Sequence, residues 1–177
     1  ENGNKTAYWK AYHENNQIYS YGKFEMDSMQ GNWKYYFDSG TLESEGSFSN
    51  GQKVGYWKMY YPNGQINIEG EYTYGKRTGV WTLYYEDGTL KAKSTFENDQ
   101  KVGVSKQYYY DGQLFIDTEY GTLDGKRKFI KYYINGKVAE KGNYLDTNKI
   151  GEWIVYYNTG TIYSKGSYDN GFRDGAW

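Results

Sequence analysis

A 24-residue spacing of tryptophan constrains this sequence more than any other feature. Steps of 24 residues from Trp9 reach all six tryptophans of the chain and two other residues: Trp9, Trp33, Trp57, Trp81, Ser105, Phe129, Trp153 and Trp177. A fixed period of this size is the signature of a repeat protein. The register holds to the last residue without an insertion or deletion. We therefore expect residues 1–177 to form a single array of seven full 24-residue repeats, Trp9 to Gly175, with partial units at both ends.

Each repeat has the pattern of two strands and two turns. With the tryptophan as position 0, position 3 is always Tyr, positions 4 and 15 are aromatic apart from His13, position 9 is aliphatic, and positions 13 and 22 are mostly Gly. In the copy Gly55–Gly79, the pair Asn63–Gly64 lies between two aromatic runs. Such a pair is a strong hairpin signal because both residues tolerate positive φ. We expect a hairpin at this pair in every repeat, and almost no helix.

The charges along each repeat indicate how the strands pair. If position 0 faces position 13, position 1 faces position 12, and these positions hold opposite charges in three repeats: Lys34–Glu45, Lys58–Glu69 and Lys106–Asp117. Opposite charges across strands are favourable, whereas like charges are not. Alternation then places positions 0, 4, 9, 13 and 15 on one face and positions 1, 3, 10, 12 and 14 on the other.

The expected fold is all-β, an elongated single-layer antiparallel meander of repeated hairpins, open-ended and twisted or curved. A single layer cannot bury its aromatic face fully. We expect that neighbouring rings pack together through curvature, that a second chain covers them, or that a partner does.

The pattern G-x-W-x-x-Y-Y-x-x-G-x-[LI]-x-x-x-G-x-[YF]-x-x-G-x-x-x-G resembles the MORN repeat, in the bacterial variant of YwqK-type proteins. Its best copies are Gly31–Gly55, Gly55–Gly79 and Gly151–Gly175, and its weakest copy has Ser105, Thr118 and Arg127 at the Trp and Gly positions. We expect a local irregularity around 105–127. The resemblance implies an elongated sheet with a groove, and a scaffold that binds proteins or acidic phospholipids, sometimes as a dimer. Proteins of the bacterial variant are often labelled antitoxins or envelope proteins.

Composition excludes several kinds of function. A net charge of −1 gives no global attraction to nucleic acid, and the absence of Cys excludes disulfides and thiolate metal sites. No apolar run is long enough for a membrane span. No metal spacing, phosphate loop or dinucleotide motif occurs, so we expect no cofactor and no enzyme activity. The only histidine, His13, occupies an aromatic position, where we expect a planar ring that replaces Tyr rather than a catalytic base.

Two sets of residues are candidate binding surfaces. The first is the row of position-3 tyrosines on the polar face: Tyr36, Tyr60, Tyr84, Tyr108, Tyr132 and Tyr156. The position-10 residues Tyr19, Phe115 and Tyr163 extend this row. The row either contacts a partner or only stabilises the sheet. The second is a line of cations expected in the second turn, along one edge: Lys53, Arg77, Lys101, Lys149 and Arg173, with Lys5 at the same position. This line either meets an anionic ligand or keeps the array soluble.

Three functions follow as hypotheses. The preferred one is a non-catalytic scaffold that binds a protein partner through the aromatic surface. The alternatives are peripheral binding of anionic phospholipid through the basic edge, and a carbohydrate or cell-wall binding module or an antitoxin-like partner of a toxin. A homodimer is compatible with all three, and the cell envelope or secretion is slightly preferred over the cytoplasm. The chain begins and ends in the same turn of the repeat without capping units, so we expect it to be part of something longer.

Overall fold

A computed structural model describes residues 7–121, 125–175 and 177 of the chain. The described residues form fifteen strands and no helix, and all strands belong to one antiparallel sheet whose strand order follows the chain order, with β1 and β15 at its ends. The predicted all-β antiparallel meander is confirmed. The strands are β1 (Ala7–Tyr12), β2 (Ile18–Glu25), β3 (Ser28–Tyr36), β4 (Leu42–Ser49), β5 (Gln52–Tyr60), β6 (Ile66–Thr73), β7 (Lys76–Tyr84), β8 (Leu90–Glu97), β9 (Gln100–Tyr108), β10 (Leu114–Tyr120), β11 (Lys126–Tyr132), β12 (Val138–Leu145), β13 (Asn148–Tyr156), β14 (Ile162–Asp169) and β15 (Phe172–Asp174).

The chain divides into two compact units. Unit 1 comprises Glu1–Thr89 and Phe96–Gln100, and unit 2 comprises Leu90–Thr95 and Lys101–Trp177. Each unit is a run of hairpins. A single array over residues 1–177 stays a prediction.

The two turns of a repeat differ in backbone conformation. In the first turn of one repeat, the amide of Tyr61 donates to the carbonyl of Gln65 and the amide of Gly64 donates back to Tyr61. Of the two turn residues, only Gly64 has positive φ. The side-chain oxygen of Asn63 accepts from the Gln65 amide, which is the Asx turn that asparagine often forms with the backbone two residues further on. The positive-φ pairs lie in the second turn, for example Asn50 with Gly51. The hairpin at the Asn-Gly pair is confirmed, and of the two residues that tolerate positive φ only the glycine adopts it in this repeat.

The predicted pairing of positions 0 and 1 is confirmed in both units. Trp33 is the partner of Gly46 in unit 1, and Trp153 is the partner of Gly166 in unit 2. Lys34 is the partner of Glu45, with 3.2 Å between Nζ and Oε2.

Beyond position 2 the predicted register is wrong by one residue. Tyr60 at position 3 is the partner of Ile66 at position 9, whereas Met59 is the partner of Ile68, so one extra residue bulges from β6. A β-bulge breaks the alternation of side chains between faces. Position 9 therefore pairs with the position-3 tyrosines rather than lying beside the tryptophan.

Each tryptophan after Trp9 packs on the glycine of the preceding repeat. The backbone partner of Trp57 is Gly70, but its indole lies over Gly46, where a methyl group would come within 2.5 Å of Cγ. The indole Nε1 donates to the carbonyl of Ser47 at 3.1 Å, and Phe48 meets the ring edge-on at 5.1 Å between centroids. Trp57 is 1% exposed as a result. Of the three arrangements expected for the aromatic face, the packing of neighbouring rings is the one observed here.

The irregular region of unit 2 follows the same rule. Where Ser105 replaces tryptophan, the residue eleven positions earlier is Ser94 instead of Gly, and their hydroxyls lie 2.6 Å apart in the interior. Phe129 is likewise preceded by Thr118. The pairing of β10 with β11 runs without a register shift, whereas that of β6 with β7 shifts between Glu69 and Glu71. Arg127 also has no positive φ, unlike the glycines at the same position. The predicted irregularity is confirmed at this point.

Candidate partner-binding surface

The position-3 tyrosines of unit 1 lie on the face opposite the tryptophans. Tyr60 Oη donates to Glu45 Oε1 at 2.8 Å, and Tyr84 Oη donates to Glu69 Oε1 at 2.8 Å. Tyr36 is half-buried like the other two. Each glutamate belongs to the preceding repeat, so these bonds fix the tyrosine rings in a row that runs across the strands.

These hydrogen bonds also set the protonation behaviour of the row. Burial and then the bond to Glu45 raise the pKa of Tyr60 to about 12. The pKa of Tyr84 is raised to about 12 by burial and by Glu69. The hydrogen bond from Tyr60 lowers the pKa of the Glu45 carboxyl. At neutral pH Tyr60 is therefore a neutral phenol held by the ionised carboxylate of Glu45.

The same face carries two exposed apolar side chains that the sequence reasoning missed. Tyr56 lies four residues before Tyr60 on β5, and Val80 lies four residues before Tyr84 on β7. Because side chains alternate between the two faces of a strand, each pair shares a face. Tyr56 is 55% exposed and Val80 is 46% exposed. Position 23, which they occupy, changes from apolar here to charged at Lys128 and Glu152, and that change was the available signal. Tyr36, Tyr56, Tyr60, Val80 and Tyr84 are called the tyrosine face below.

The corresponding face of unit 2 carries charged side chains at position 23 in two repeats. Tyr108, Tyr132 and Tyr156 are half-buried there. Ion pairs join Lys128 to Glu119 at 3.2 Å and Lys165 to Glu152 at 2.7 Å. Position 23 in unit 2 thus holds one exposed apolar side chain, Val104, which is 49% exposed, and the charged residues Lys128 and Glu152.

The extension of this row to position 10 is wrong. Tyr19 contacts His13 edge-on at 5.1 Å between centroids and Tyr35 at 5.9 Å, and Tyr35 in turn stacks on Trp33. Phe115 contacts a position-4 ring at a tilt of 49°, and Tyr163 contacts one edge-on. Because the extra residue of the bulge reverses the alternation, position 10 lies on the tryptophan side.

The cations of the basic edge lie near the starts of strands rather than in the turns, and four of them rest on aromatic rings or pair with a carboxylate. Lys53 Nζ lies 4.2 Å from the ring centroid of Trp57, and burial lowers its pKa. Lys149 Nζ lies 3.8 Å from the ring centroid of Trp153, and Arg173 lies 4.4 Å from that of Trp177.

The remaining two predicted cations differ from each other. Arg77 pairs with Asp99 at 2.9 Å and lies over the ring of Phe96 at 4.2 Å. Lys101 lies exposed in β9. In the irregular repeat, position 20 is Gly125, and Arg127 supplies the cation over Tyr144 at 4.5 Å instead. These contacts give the cations a structural part in covering the tryptophan side. Lys5 lies outside the described residues.

His13 takes the place of a tyrosine in the turn. Its Nε2 lies 2.8 Å from the carbonyl oxygen of Tyr36, and Tyr61 Oη donates to the equivalent carbonyl of Tyr84 at 2.8 Å. The ring thus makes the contact that tyrosine makes in other repeats. Across the residues that the structure describes, no cluster of His, Asp and Glu is arranged to hold a metal ion, and no helix could cross a membrane.

Comparison with known proteins gives a family and a distant structural likeness. The MORN repeat variant matches residues 29–50, 53–74, 77–98, 101–120 and 149–170. No curated protein matches the chain. Among solved structures, a chain in the crystal structure of a GtfA/B complex bound to UDP and GlcNAc is similar at a TM-score of 0.26 and 15% identity. That similarity covers 62% of this chain and 21% of the other, and it carries no argument about function. The five matched segments span more than half of the sequence, so the chain belongs to the MORN repeat variant family.

Proposed function

We propose that this protein is a non-catalytic scaffold that binds a protein partner through the tyrosine face of unit 1. Repeats of this family are binding modules for proteins or membranes. The observation that carries the proposal is the exposure of Tyr56 and Val80 beside tyrosines whose hydroxyls are already fixed by Glu45 and Glu69.

The chemistry of this face suits a protein partner. Tyrosine offers a large amphipathic contact area and loses little side-chain entropy when it binds. Glu45 holds the Tyr60 ring before any partner arrives, which reduces the ordering cost of association. Energetic anchors of interfaces are enriched in aromatic residues that lie near the centre of the patch.

The cations favour this proposal over the phospholipid alternative. A lipid site needs side chains that leave the protein to meet headgroups, but Lys53 and Lys149 lie against indole rings. Binding to anionic vesicles that fades between low and high salt would instead support the phospholipid alternative, because surface attraction is screened by salt. Carbohydrate binding, an antitoxin-like role and homodimer formation are further outcomes that the capture below separates, through the nature of the captured molecule.

The test is affinity capture from an extract of the source cells, with two matched variants. Tyr56→Ser with Val80→Ser removes exposed apolar area from the tyrosine face and leaves Tyr36, Tyr60 and Tyr84 in place. Tyr74→Ser is the control, because Tyr74 is 77% exposed in a second turn, outside the tyrosine face. We expect a saturable protein partner with the wild type and with the control, and loss of at least tenfold in captured partner with the double variant. Equal capture by all three proteins would refute the tyrosine face as the site.

A further inference from the structure

Three repeats place an extra aromatic ring on the tryptophan side, close to the first turn. In each case a position-10 ring contacts the position-4 ring of the same repeat. The centroid distances are 5.1 Å for Tyr19 with His13, 4.6 Å for Phe115 with Tyr109, and 5.0 Å for Tyr163 with Tyr157. The first and last of these pairs meet edge-on, at interplanar angles of 78° and 83°. The chain thus shows, within its own fold, which side chain fits against a position-4 ring.

One repeat of unit 2 has an aromatic ring at position 4 but no aromatic ring at position 10. Position 10 is Ala139 there, between the repeats that carry Phe115 and Tyr163. The Tyr133 ring is anchored by its hydroxyl, which donates to the carbonyl of Tyr156 at 2.7 Å. Among the described residues, no ring stacks on Tyr133.

Pockets that bind small ligands have volumes of about 300–1,000 Å³, and the space at Ala139 falls in this range. Its volume is ≈ 430 Å³, and its lining includes Tyr109, Phe115, Lys131, Tyr133 and Val155 around Ala139. The Lys131 ammonium lies over the Phe115 ring at 5.4 Å. Glu140, which also borders the space, pairs with Lys149 at 3.5 Å. Aromatic and aliphatic side chains therefore line much of the space, beside Lys131 and Glu140, which both make contacts of their own.

We propose that this space, the Ala139 socket, accepts an aromatic side chain of a protein partner. The ring would lie against Tyr133 as Tyr163 lies against Tyr157 in the next repeat. Edge-on and offset aromatic pairs at such distances contribute affinity beyond the area they bury. The inference rests on the proposed scaffold function for the source of the ring, but it concerns a separate site in unit 2, on the tryptophan side of that unit.

The socket is tested with a small aromatic probe, so that no partner has to be known. N-acetyl-tyrosinamide is titrated into protein labelled with ¹³C at alanine methyl groups, and methyl glucoside is titrated in parallel. We expect a saturable shift of the Ala139 methyl resonance with the aromatic probe, with a Kd on the order of millimolar for so small a ligand. The sugar should leave the resonance unchanged. No shift with the aromatic probe, or an equal shift with the sugar, would overturn the proposal.

The variant Ala139→Phe should abolish probe binding, because it supplies the ring that Phe115 supplies in the preceding repeat. Wild-type protein also allows a measurement that needs no variant, namely nuclear Overhauser contacts between the probe ring and the Val155 methyl groups. Absence of those contacts at saturating probe would refute the socket even if Ala139→Phe failed to fold.

Failure of the socket and failure of the proposed function are distinguishable. The double variant at Tyr56 and Val80 should bind the aromatic probe as the wild type does. Conversely, loss of partner capture by that variant with no probe binding in the wild type would leave the tyrosine face in place and remove the socket alone.

Discussion

Gly46→Ala is expected to destabilise unit 1 although it adds only one methyl group. That methyl would lie 2.5 Å from Cγ of Trp57, and closer to the six-membered ring, whereas unstrained carbon contacts lie at about 3.5–4 Å. The indole must therefore move by about 1 Å or leave its site. Overpacking costs about 1–3 kcal/mol, and loss of a buried tryptophan costs about 3–5 kcal/mol. We expect a decrease of about 2–4 kcal/mol in the free energy of unfolding.

The natural pair of serines in unit 2 provides the design of the test. Trp57→Ser removes the indole, and in that background Gly46→Ser recreates the arrangement of Ser94 and Ser105, whose hydroxyls lie 2.6 Å apart. We expect Gly46→Ser to be close to neutral there, although it is strongly destabilising beside the intact Trp57. Urea unfolding followed by circular dichroism gives the four free energies of this double-mutant cycle.

The coupling between the two sites should be at least about 2 kcal/mol, which is within the range of residues in direct contact. A control is Ser94→Gly, which removes a side chain where no indole lies and should gain no stability. Additive effects at positions 46 and 57, within about 0.5 kcal/mol, would contradict the packing of each tryptophan on the glycine of the preceding repeat.

Three further changes test individual contacts. Stability should fall as pH rises from about 10 to about 12, because the unfolded phenol ionises near pH 10 and Tyr60 stays protonated up to its raised pKa of about 12; it should also fall in acid below the ordinary carboxyl pKa, since the pKa of Glu45 is lowered in the folded state. Tyr60→Phe should flatten both limbs of the pH–stability curve; unchanged limbs would exclude this bond as their source. Lys149→Met should lower the free energy of unfolding by about 0.5–1 kcal/mol through the lost cation–π contact with Trp153, while Lys149→Arg should retain it; equal losses in urea unfolding would contradict this. His13→Tyr should change stability by less than about 0.5 kcal/mol, whereas His13→Ala should cost about 1 kcal/mol or more; a large loss with tyrosine would refute the substitution of one planar ring by the other.

The repeat period and the strand pairing at positions 0 and 1 can be predicted from the sequence, because only one pairing of the strands brings compatible side chains opposite each other at these positions. An indole at Trp33 opposite Gly46 and opposite charges at Lys34 and Glu45 select one pairing. The bulge is not readable in this way. One extra residue between Ile66 and Ile68 leaves the composition of both strands unchanged, but it reverses which side chains face the tryptophans from that point onward.

The packing of tryptophan on glycine was readable and was overlooked. Every described tryptophan after Trp9 is preceded by Gly at eleven residues, and Ser105 and Phe129 are preceded by Ser94 and Thr118. A glycine eleven residues before a tryptophan belongs to the preceding repeat, whereas the predicted pairing joins positions within one repeat. The cations were misplaced for a similar reason. A charged side chain was expected to extend into solvent. Lys53 instead lies along the tryptophan side and places its ammonium over the indole of Trp57.

The proposed scaffold function is tested most directly by photo-crosslinking at two positions. A photoreactive phenylalanine derivative replaces Tyr56 in one protein and Tyr74 in another, and both are irradiated in an extract of the source cells. The two side chains are similarly exposed, at 55% and 77%, but only Tyr56 belongs to the tyrosine face. We predict a discrete protein adduct at position 56 that excess unlabelled wild-type protein removes, and none at position 74. Equal adducts at both positions, or no adduct at position 56, would contradict the account.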